Sequence, residues 1–208
     1  MRLRPPMMVC KLCFHEFNDS SLLQLLLDKF YVCKKCLKEI YAKFANFDVD
    51  GYKALSIYDY DDKIQALLYQ FKGCFDIEIA DVFMSRYARE LHLRYLGYVM
   101  VPIPSFEHDD EVREFNHVEE MFKCLKLPMK KLIIKTKYVK QAISNTEERK
   151  ENAKFLDLCD RPDLSKYKIL LVDDVYTTGA TMKSAIKLIE SLHPKKIKVL
   201  VMSKTKIK

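Results

Sequence analysis

The chain has 208 residues, of which 49% are hydrophobic and 31% charged, and its formal net charge is +7 at pH 7. No window approaches the roughly 18 uninterrupted apolar residues of a membrane span, and residues 1–9 lack the apolar region of a signal peptide. We therefore expect a soluble cytoplasmic protein, long enough for one α/β domain of ordinary size and a small additional module.

Four cysteines near the amino terminus form two Cys-x-x-Cys pairs, Cys10 with Cys13 and Cys33 with Cys36. Thiolates at this spacing are typical of a tetrahedral zinc site. Disulfides are the alternative, but an odd total of seven cysteines, the others among apolar neighbours, favours a reducing compartment. A redox Cys-x-x-Cys is a weaker alternative. Because four cysteines close the coordination shell, we predict structural zinc in a module of residues 1–46.

Residues 47–208 are predicted to form a doubly wound α/β domain, because apolar strand patterns alternate with helical ones. The predicted strands are residues 53–60 (an edge strand or hairpin), 98–103, 129–136, 167–172 and 197–202. The predicted helices are residues 62–71, 77–95, 111–125, 146–156 and 180–192.

An apolar run at residues 169–172 ends on Asp173 and Asp174 and is followed by a Thr/Gly loop that opens a helix. Ligands of open α/β sheets lie outside the carboxyl ends of the strands. Backbone N–H groups at a helix start favour a phosphate, and Gly179 permits its close approach. Carboxylates suit the vicinal hydroxyls of a ribose, or Mg²⁺. An ordinary turn with a helix cap is the alternative, but the pattern favours a ribose 5-phosphate group.

The segment 173–181, DDVYTTGAT, resembles the signature of type I phosphoribosyltransferases, which bind phosphoribosyl pyrophosphate (PRPP) and displace pyrophosphate with a nucleophile. The resemblance implies that Asp173 and Asp174 contact the ribose hydroxyls and Mg²⁺. It also implies a loop that holds the 5-phosphate, formed by Thr177, Thr178, Gly179, Ala180 and Thr181. Some members of this family are regulators that keep the site without transferring anything. PRPP binding is therefore the firmer expectation, and turnover stays open.

The two ends of the chain together, a pair of zinc knuckles followed by a phosphoribosyltransferase domain, resemble the ComF family of competence proteins. That family takes part in DNA uptake during natural transformation in bacteria. Residues 101–105, VPIPS, resemble its pyrophosphate loop, which implies PRPP contacts at Pro104 and Ser105. Residues 113–117, REFNH, resemble its Arg-Gly-Phe-Asn-Gln element, with Glu and His in place of Gly and Gln.

Much of the excess positive charge lies in residues 130–140 and 195–208. Lysines around an aromatic residue resemble the cationic groove that binds single strands by stacking. A solvated lysine-rich surface is the alternative. The family resemblance favours single-stranded DNA, and the candidate contacts are Arg113, Lys135, Lys137, Tyr138, Lys140 and Arg149.

These features together predict a competence protein that binds single-stranded DNA and PRPP with Mg²⁺, in the cytoplasm or at the inner face of the cytoplasmic membrane. The resemblance implies DNA-uptake partners such as a helicase or an inner-membrane DNA channel. Two alternatives stay open. One is an active phosphoribosyltransferase of nucleotide salvage, and the other is a PRPP-sensing adaptor without DNA affinity.

Overall fold

The computed structural model describes residues 7–17, 32–105, 107–135 and 156–206, with the backbone alone for residues 107–109. The strands of these ranges are β1 (Met8–Val9), β2 (Glu16–Phe17), β3 (Ala45–Val49), β4 (Tyr52–Asp59), β5 (Tyr98–Pro102), β6 (Ile133–Lys135), β7 (Leu156–Leu158), β8 (Lys168–Tyr176) and β9 (Lys196–Lys204). The helices are α1 (Lys34–Glu39), α2 (Asp62–Gly73), α3 (Ala80–Met84), α4 (Ala88–Arg94), α5 (Glu107–Arg113), α6 (His117–Lys123) and α7 (Ala180–Glu190). Within these ranges, no helix has the length and apolar character needed to cross a membrane.

Five strands form a mixed sheet in the order β3-β4-β9-β8-β5, in which β3 is antiparallel to β4 and the other pairs are parallel. Strand β8, which lies between β9 and β5, is apolar on both faces because helices cover both. Leu170 and Val172 pack with Phe71 of α2 on one face, and Ile169 and Leu171 pack with α7 on the other. The predicted doubly wound α/β fold is confirmed.

The strand predicted at residues 53–60 is present as β4, in a hairpin with β3. It is not an edge strand, because β9 pairs with its other side. Strand β3 itself was not predicted: its five residues alternate between apolar and polar, but the strand is short and most of it is exposed. It crosses residue 46, where we divided the chain in two, and that division stays a prediction.

Two predicted helices are interrupted in the structure. In place of the helix expected at residues 77–95, the structure has α3 and α4, which are separated by the 3-10 turn Ser85–Tyr87. In this turn the Tyr87 ring packs edge-on against the Phe44 ring, with 4.9 Å between the ring centres. The helix expected at residues 111–125 is divided into α5 and α6, because Glu114 adopts a φ of 63° and Asn116 caps α6 by accepting from the Glu119 N–H at 3.0 Å. Of the helix predicted at 146–156, residues 146–155 lie outside the described residues.

Strand β8 runs four residues beyond the predicted end at 172. The predicted strand at 129–136 is shorter than expected: β6 covers Ile133–Lys135, and Met129 makes a single parallel bridge to Met100. Strand β6 pairs with β7 as a separate two-stranded ribbon.

The amino-terminal cysteine segment packs on the larger domain. Cys10 and Ile40 are buried in the same apolar cluster as Leu68 and Phe71 of α2. Lys11 adds an ion pair to Glu78 at 2.9 Å. The cysteine segment and the sheet therefore share one core.

Candidate functional site

The predicted phosphate loop lies at the carboxyl end of β8, where the chain turns into α7. It surrounds a cavity of about 240 Å³. The lining residues include all five predicted phosphate contacts and the predicted ribose contact Asp173. Lys135 of β6 also lines this cavity. This arrangement brings a carboxylate, a cation and the start of an 11-residue helix around one small space.

The helix start is suited to an anion. Gly179, the N-cap residue of α7, has no side chain that could cap the helix, and Thr178 Oγ1 accepts from the Ala180 N–H at 3.4 Å. The first N–H groups of a helix are unpaired within it and lie at the positive end of the helix dipole. Gly179 has a φ of 77°, and a Cβ there would lie 2.2 Å from the Tyr176 hydroxyl oxygen. Glycine is therefore required for the turn that exposes these N–H groups.

The structure separates the two aspartates that the signature pairs. Successive residues of a strand point to opposite faces, and β8 extends through both. Asp173 lines the loop cavity. Asp174 is buried on the opposite face, where its Oδ2 atom lies 2.5 Å from Lys72 Nζ and 3.2 Å from His117 Nε2. Its predicted contact with the ribose stays a prediction.

The two carboxyl groups have opposite electrostatic environments. Burial raises the pKa of Asp173 well above its usual value, and the neighbouring charge of Asp174 adds to this effect. Burial also acts to raise the pKa of Asp174, but Lys72 and His117 outweigh it and hold that pKa well below its usual value. Asp174 is therefore a compensated buried anion, whereas for Asp173 the attraction of Lys72 does not outweigh burial and the charge of Asp174.

His117 connects Asp174 to the predicted pyrophosphate loop. Burial lowers the His117 pKa, although Asp174 opposes that shift. Arg113 Nη1 donates to His117 Nδ1 at 3.1 Å and to Asp110 Oδ1 at 3.2 Å. Since arginine can only donate, Nδ1 accepts and the hydrogen of the neutral ring lies on Nε2, facing Asp174. Asp110 in turn accepts from the Ser105 hydroxyl.

Asn116 closes this network, because its Nδ2 donates to Asp110 Oδ2 at 2.7 Å. Five of its residues lie between the end of β5 and the first residue of α6, and the network continues through Asp174 of β8 to Lys72 of α2. Arg113, predicted to contact nucleic acid, directs its guanidinium into this network, and its side chain is 11% exposed. The network therefore gives Arg113 an internal role in the structure.

Lys72 was missed as a site residue. The sequence analysis gave this residue no role. The signal that could have found it is the burial of Asp174, since a carboxylate at the end of an interior strand requires a cation from a neighbouring element.

A second cleft of about 520 Å³ lies beside the loop cavity. Its apolar wall includes Phe115 and Ile133, and Pro104 and Ser105 of the predicted pyrophosphate loop border it. Lys135 lines both this cleft and the loop cavity. The other predicted nucleic-acid contacts, Lys137, Tyr138, Lys140 and Arg149, lie outside the described residues.

The four cysteine Sγ atoms form one cluster, in which all lie within 4.8 Å of one another. Cys13 Sγ and Cys33 Sγ are 3.7 Å apart. Four thiolates at about 2.3 Å from a tetrahedral zinc lie about 3.8 Å from each other, so the cluster has dimensions that fit this ion. Burial acts to raise the pKa of the Cys10 thiol, but backbone N–H groups, chiefly that of Cys33, outweigh it and lower the pKa to about 6.

Residues 82–206 match the family described as the phosphoribosyl transferase domain. The chain belongs to this family. It is also similar to the competence protein ComFC of Bacillus subtilis (strain 168), with 31% identity over 134 residues, 64% of this chain and 55% of that protein. ComFC of Streptococcus pneumoniae (strain ATCC BAA-255 / R6) is 29% identical over 148 residues, 71% of this chain and 66% of that protein. The chain thus spans less than two thirds of the length of either relative.

These matches confirm the predicted resemblance to the ComF family and its phosphoribosyltransferase domain. Among solved structures, a hypoxanthine phosphoribosyltransferase from Staphylococcus aureus shares 15% sequence identity with the chain. The TM-score is 0.39, over 62% of this chain and 73% of that one.

Proposed function

We propose that this chain binds PRPP with Mg²⁺ in the cavity between β8 and α7. The observation that carries the proposal is the meeting of Asp173, Lys135 and the start of α7, whose N-cap residue is glycine, around this one cavity. The 5-phosphate would bind the N–H groups and hydroxyls of the loop, contributed by Thr177, Thr178, Gly179, Ala180 and Thr181.

Asp173 would accept hydrogen bonds from the ribose hydroxyls or hold Mg²⁺, since both are ordinary partners of a carboxylate. Burial raises its pKa in the free protein, so a bound cation or hydroxyl pair would compensate its charge. Pro104 and Ser105, at the end of β5, would lie toward the pyrophosphate. Mg²⁺ would neutralise pyrophosphate charge when bound.

The test is a calorimetric titration of PRPP–Mg²⁺ into wild type and Asp173→Asn. We expect Asp173→Asn to lower the affinity about tenfold or more, because a hydrogen bond to a charged group contributes about 1.5–3 kcal/mol. The matched control is Asp160→Asn, which removes an exposed carboxylate of a different loop. Equal affinities for wild type and Asp173→Asn would refute the site.

We also propose that the four cysteines hold structural zinc and that the protein acts in DNA uptake. The zinc proposal rests on a sulfur cluster of the right dimensions with four thiolate donors. The competence proposal rests on similarity to two ComFC proteins. It places the protein in the cytoplasm or at the inner face of the cytoplasmic membrane, beside a helicase or an inner-membrane DNA channel.

Single-stranded DNA is the proposed macromolecular ligand, supported by the net charge of +7. We expect wild type to bind a labelled oligothymidylate with an affinity that falls steeply as salt rises, because bound phosphates release counterions. Fluorescence anisotropy at several salt concentrations measures this. PRPP binding without DNA binding at low salt would contradict this role and favour a PRPP-sensing adaptor.

An active transferase is the second candidate function. It is favoured by the 520 Å³ cleft, because a nucleophile in that space would border both the predicted pyrophosphate loop and Lys135. Release of pyrophosphate from PRPP on addition of a nucleobase would support turnover, and its absence with a panel of bases would support binding alone.

A further inference from the structure

A group of lysines lies at the amino ends of the parallel strands, at the opposite edge of the sheet from the loop cavity. Lys168 of β8 is the cross-strand partner of Lys196 of β9. In the parallel strands β4 and β9, Ala54 lies opposite Val199. Lys53, one residue before Ala54, therefore lies beside Lys198, one residue before Val199. We name Lys53, Lys168, Lys196 and Lys198 the amino-edge lysines.

All four lysines belong to one face of the sheet. Lys196 and Lys198 are two residues apart on β9, and their cross-strand neighbours share their face. Tyr98 of β5, which pairs with Lys168, belongs to the same face. Lys198 Nζ lies 5.3 Å from the centre of the Tyr98 ring and 5.5 Å from that of Tyr95.

This positive charge has little internal compensation. Among the residues that the structure describes, no carboxylate lies within ion-pair distance of an amino-edge lysine. Burial lowers the Lys198 pKa, and the nearby charges of Lys196, Arg94, Lys53 and Lys168 lower it further. Like charges placed opposite each other on neighbouring strands destabilise a sheet. A surface that keeps such a cost is suited to an anionic ligand.

The surface also has room for a ligand and an aromatic platform. A groove of about 540 Å³ is lined by Lys53, Lys196 and Lys198 together with Lys195. Its one acidic residue, Glu190, accepts from the Tyr52 hydroxyl. Tyr167, whose backbone carbonyl accepts from the Lys195 N–H, is 41% exposed, and Lys130 Nζ lies 5.0 Å from the centre of its ring. Cations beside an exposed aromatic ring are the combination that binds single-stranded nucleic acid.

We propose that the amino-edge lysines and Tyr167 form a binding surface for single-stranded nucleic acid, at the opposite end of the sheet from the PRPP cavity. This proposal deepens the proposed function, on which it rests, by locating the DNA surface. Strand β8 has nine residues and spans about 26 Å from its first residue to its last. PRPP and DNA would therefore bind without competing.

The test compares Lys53→Gln/Lys168→Gln/Lys196→Gln with wild type, using a labelled oligothymidylate of about 12 nucleotides. The charge-matched control is Lys38→Gln/Lys63→Gln/Lys123→Gln, which removes three lysines from α1, α2 and α6. We expect the amino-edge variant to bind at least tenfold more weakly near 100 mM salt. Its slope of log affinity against log salt should be shallower by about 2, because each lost phosphate contact contributes about 0.7. The control should match wild type.

The amino-edge variant should fold, because the substitutions relieve like-charge repulsion, and its melting temperature checks this. Two further comparisons distinguish the ligand class. Tyr167→Ala should weaken binding about fivefold or more through lost stacking, whereas Tyr167→Phe should bind like wild type. Saturating PRPP–Mg²⁺ should leave DNA affinity unchanged.

Three outcomes would overturn the proposal. If wild type binds DNA and the amino-edge variant binds equally well, the DNA surface lies elsewhere while the proposed function stands. If the amino-edge variant loses affinity for phosphatidylglycerol vesicles but not for DNA, the surface is a membrane contact. If wild type itself fails to bind at low salt, both this surface and the DNA part of the proposed function are wrong.

Discussion

Cys33→Ser is expected to abolish stoichiometric zinc binding and to unfold the amino-terminal segment. Each thiolate is one of four ligands, and structural zinc in zinc-finger peptides contributes about 10–16 kcal/mol of binding free energy, which is also folding free energy. The described residues of this segment, 7–17 and 32–44, contain only the short elements β1, β2 and α1, so we expect metal ligation to contribute much of their stability. Because Cys10 and Ile40 belong to the core shared with α2, the melting temperature of the whole chain should also fall.

Metal analysis of the purified protein and thermal unfolding measure this result. The matched control is Cys74→Ser, since Cys74 is exposed and lies outside the sulfur cluster. It should keep one zinc per chain and the wild-type melting temperature. A Cys33→Ser protein that lacks metal yet unfolds like wild type would contradict a structural role for zinc.

Lys72→Met is expected to lower the free energy of unfolding by about 3–5 kcal/mol at pH 7, the range seen when one partner of a buried ion pair is removed. Asp174, whose side chain is 10% exposed, would keep His117 and the Val175 N–H as partners but lose its one cationic lysine among the described residues. The control is Lys63→Met on the same helix. Its pair with Glu39 is half exposed, so this change should cost less than about 1 kcal/mol.

The effect of Lys72→Met should depend on pH. In wild type the pKa of Asp174 is depressed in the folded state, so its contribution to stability is present above the unfolded pKa of about 3.9 and is lost as pH falls through the folded pKa. Without Lys72, burial would raise the folded pKa. The difference in the free energy of unfolding between Lys72→Met and wild type should therefore be largest near neutral pH and should decrease toward pH 4. Chemical denaturation at both pH values measures it, and an unchanged difference would contradict the charge pairing.

The parts of the structure that sequence predicted well depend on local patterns. The run at residues 169–172 indicated a doubly covered strand because a parallel strand must be apolar on both faces. The cysteine spacing indicated one cluster because each Cys-x-x-Cys pair directs two sulfurs to the same point. Gly179 marked the helix start, where a φ of 77° favours glycine and a Cβ would collide with the Tyr176 ring.

The parts that sequence did not predict depend on contacts between distant residues. Lys72 and Asp174 are separated by 102 positions, and no local pattern connects them. Arg113 was predicted from the sequence as a nucleic-acid contact, and the structure shows that its guanidinium donates to Asp110 and His117. The helix breaks at Glu114 because Asn116 caps the helix that follows. The apolar residues of 111–125 keep a helical spacing, so the sequence predicted one continuous helix.

The central claim is that the loop between β8 and α7 holds the 5-phosphate of PRPP through its backbone N–H groups. Hydrogen exchange, measured with and without PRPP–Mg²⁺, tests this claim most directly. The account predicts slower exchange concentrated in residues 177–181, with ribose 5-phosphate producing the same protection and pyrophosphate producing little there. Exchange in this loop that stays unchanged at saturating PRPP–Mg²⁺ would contradict it.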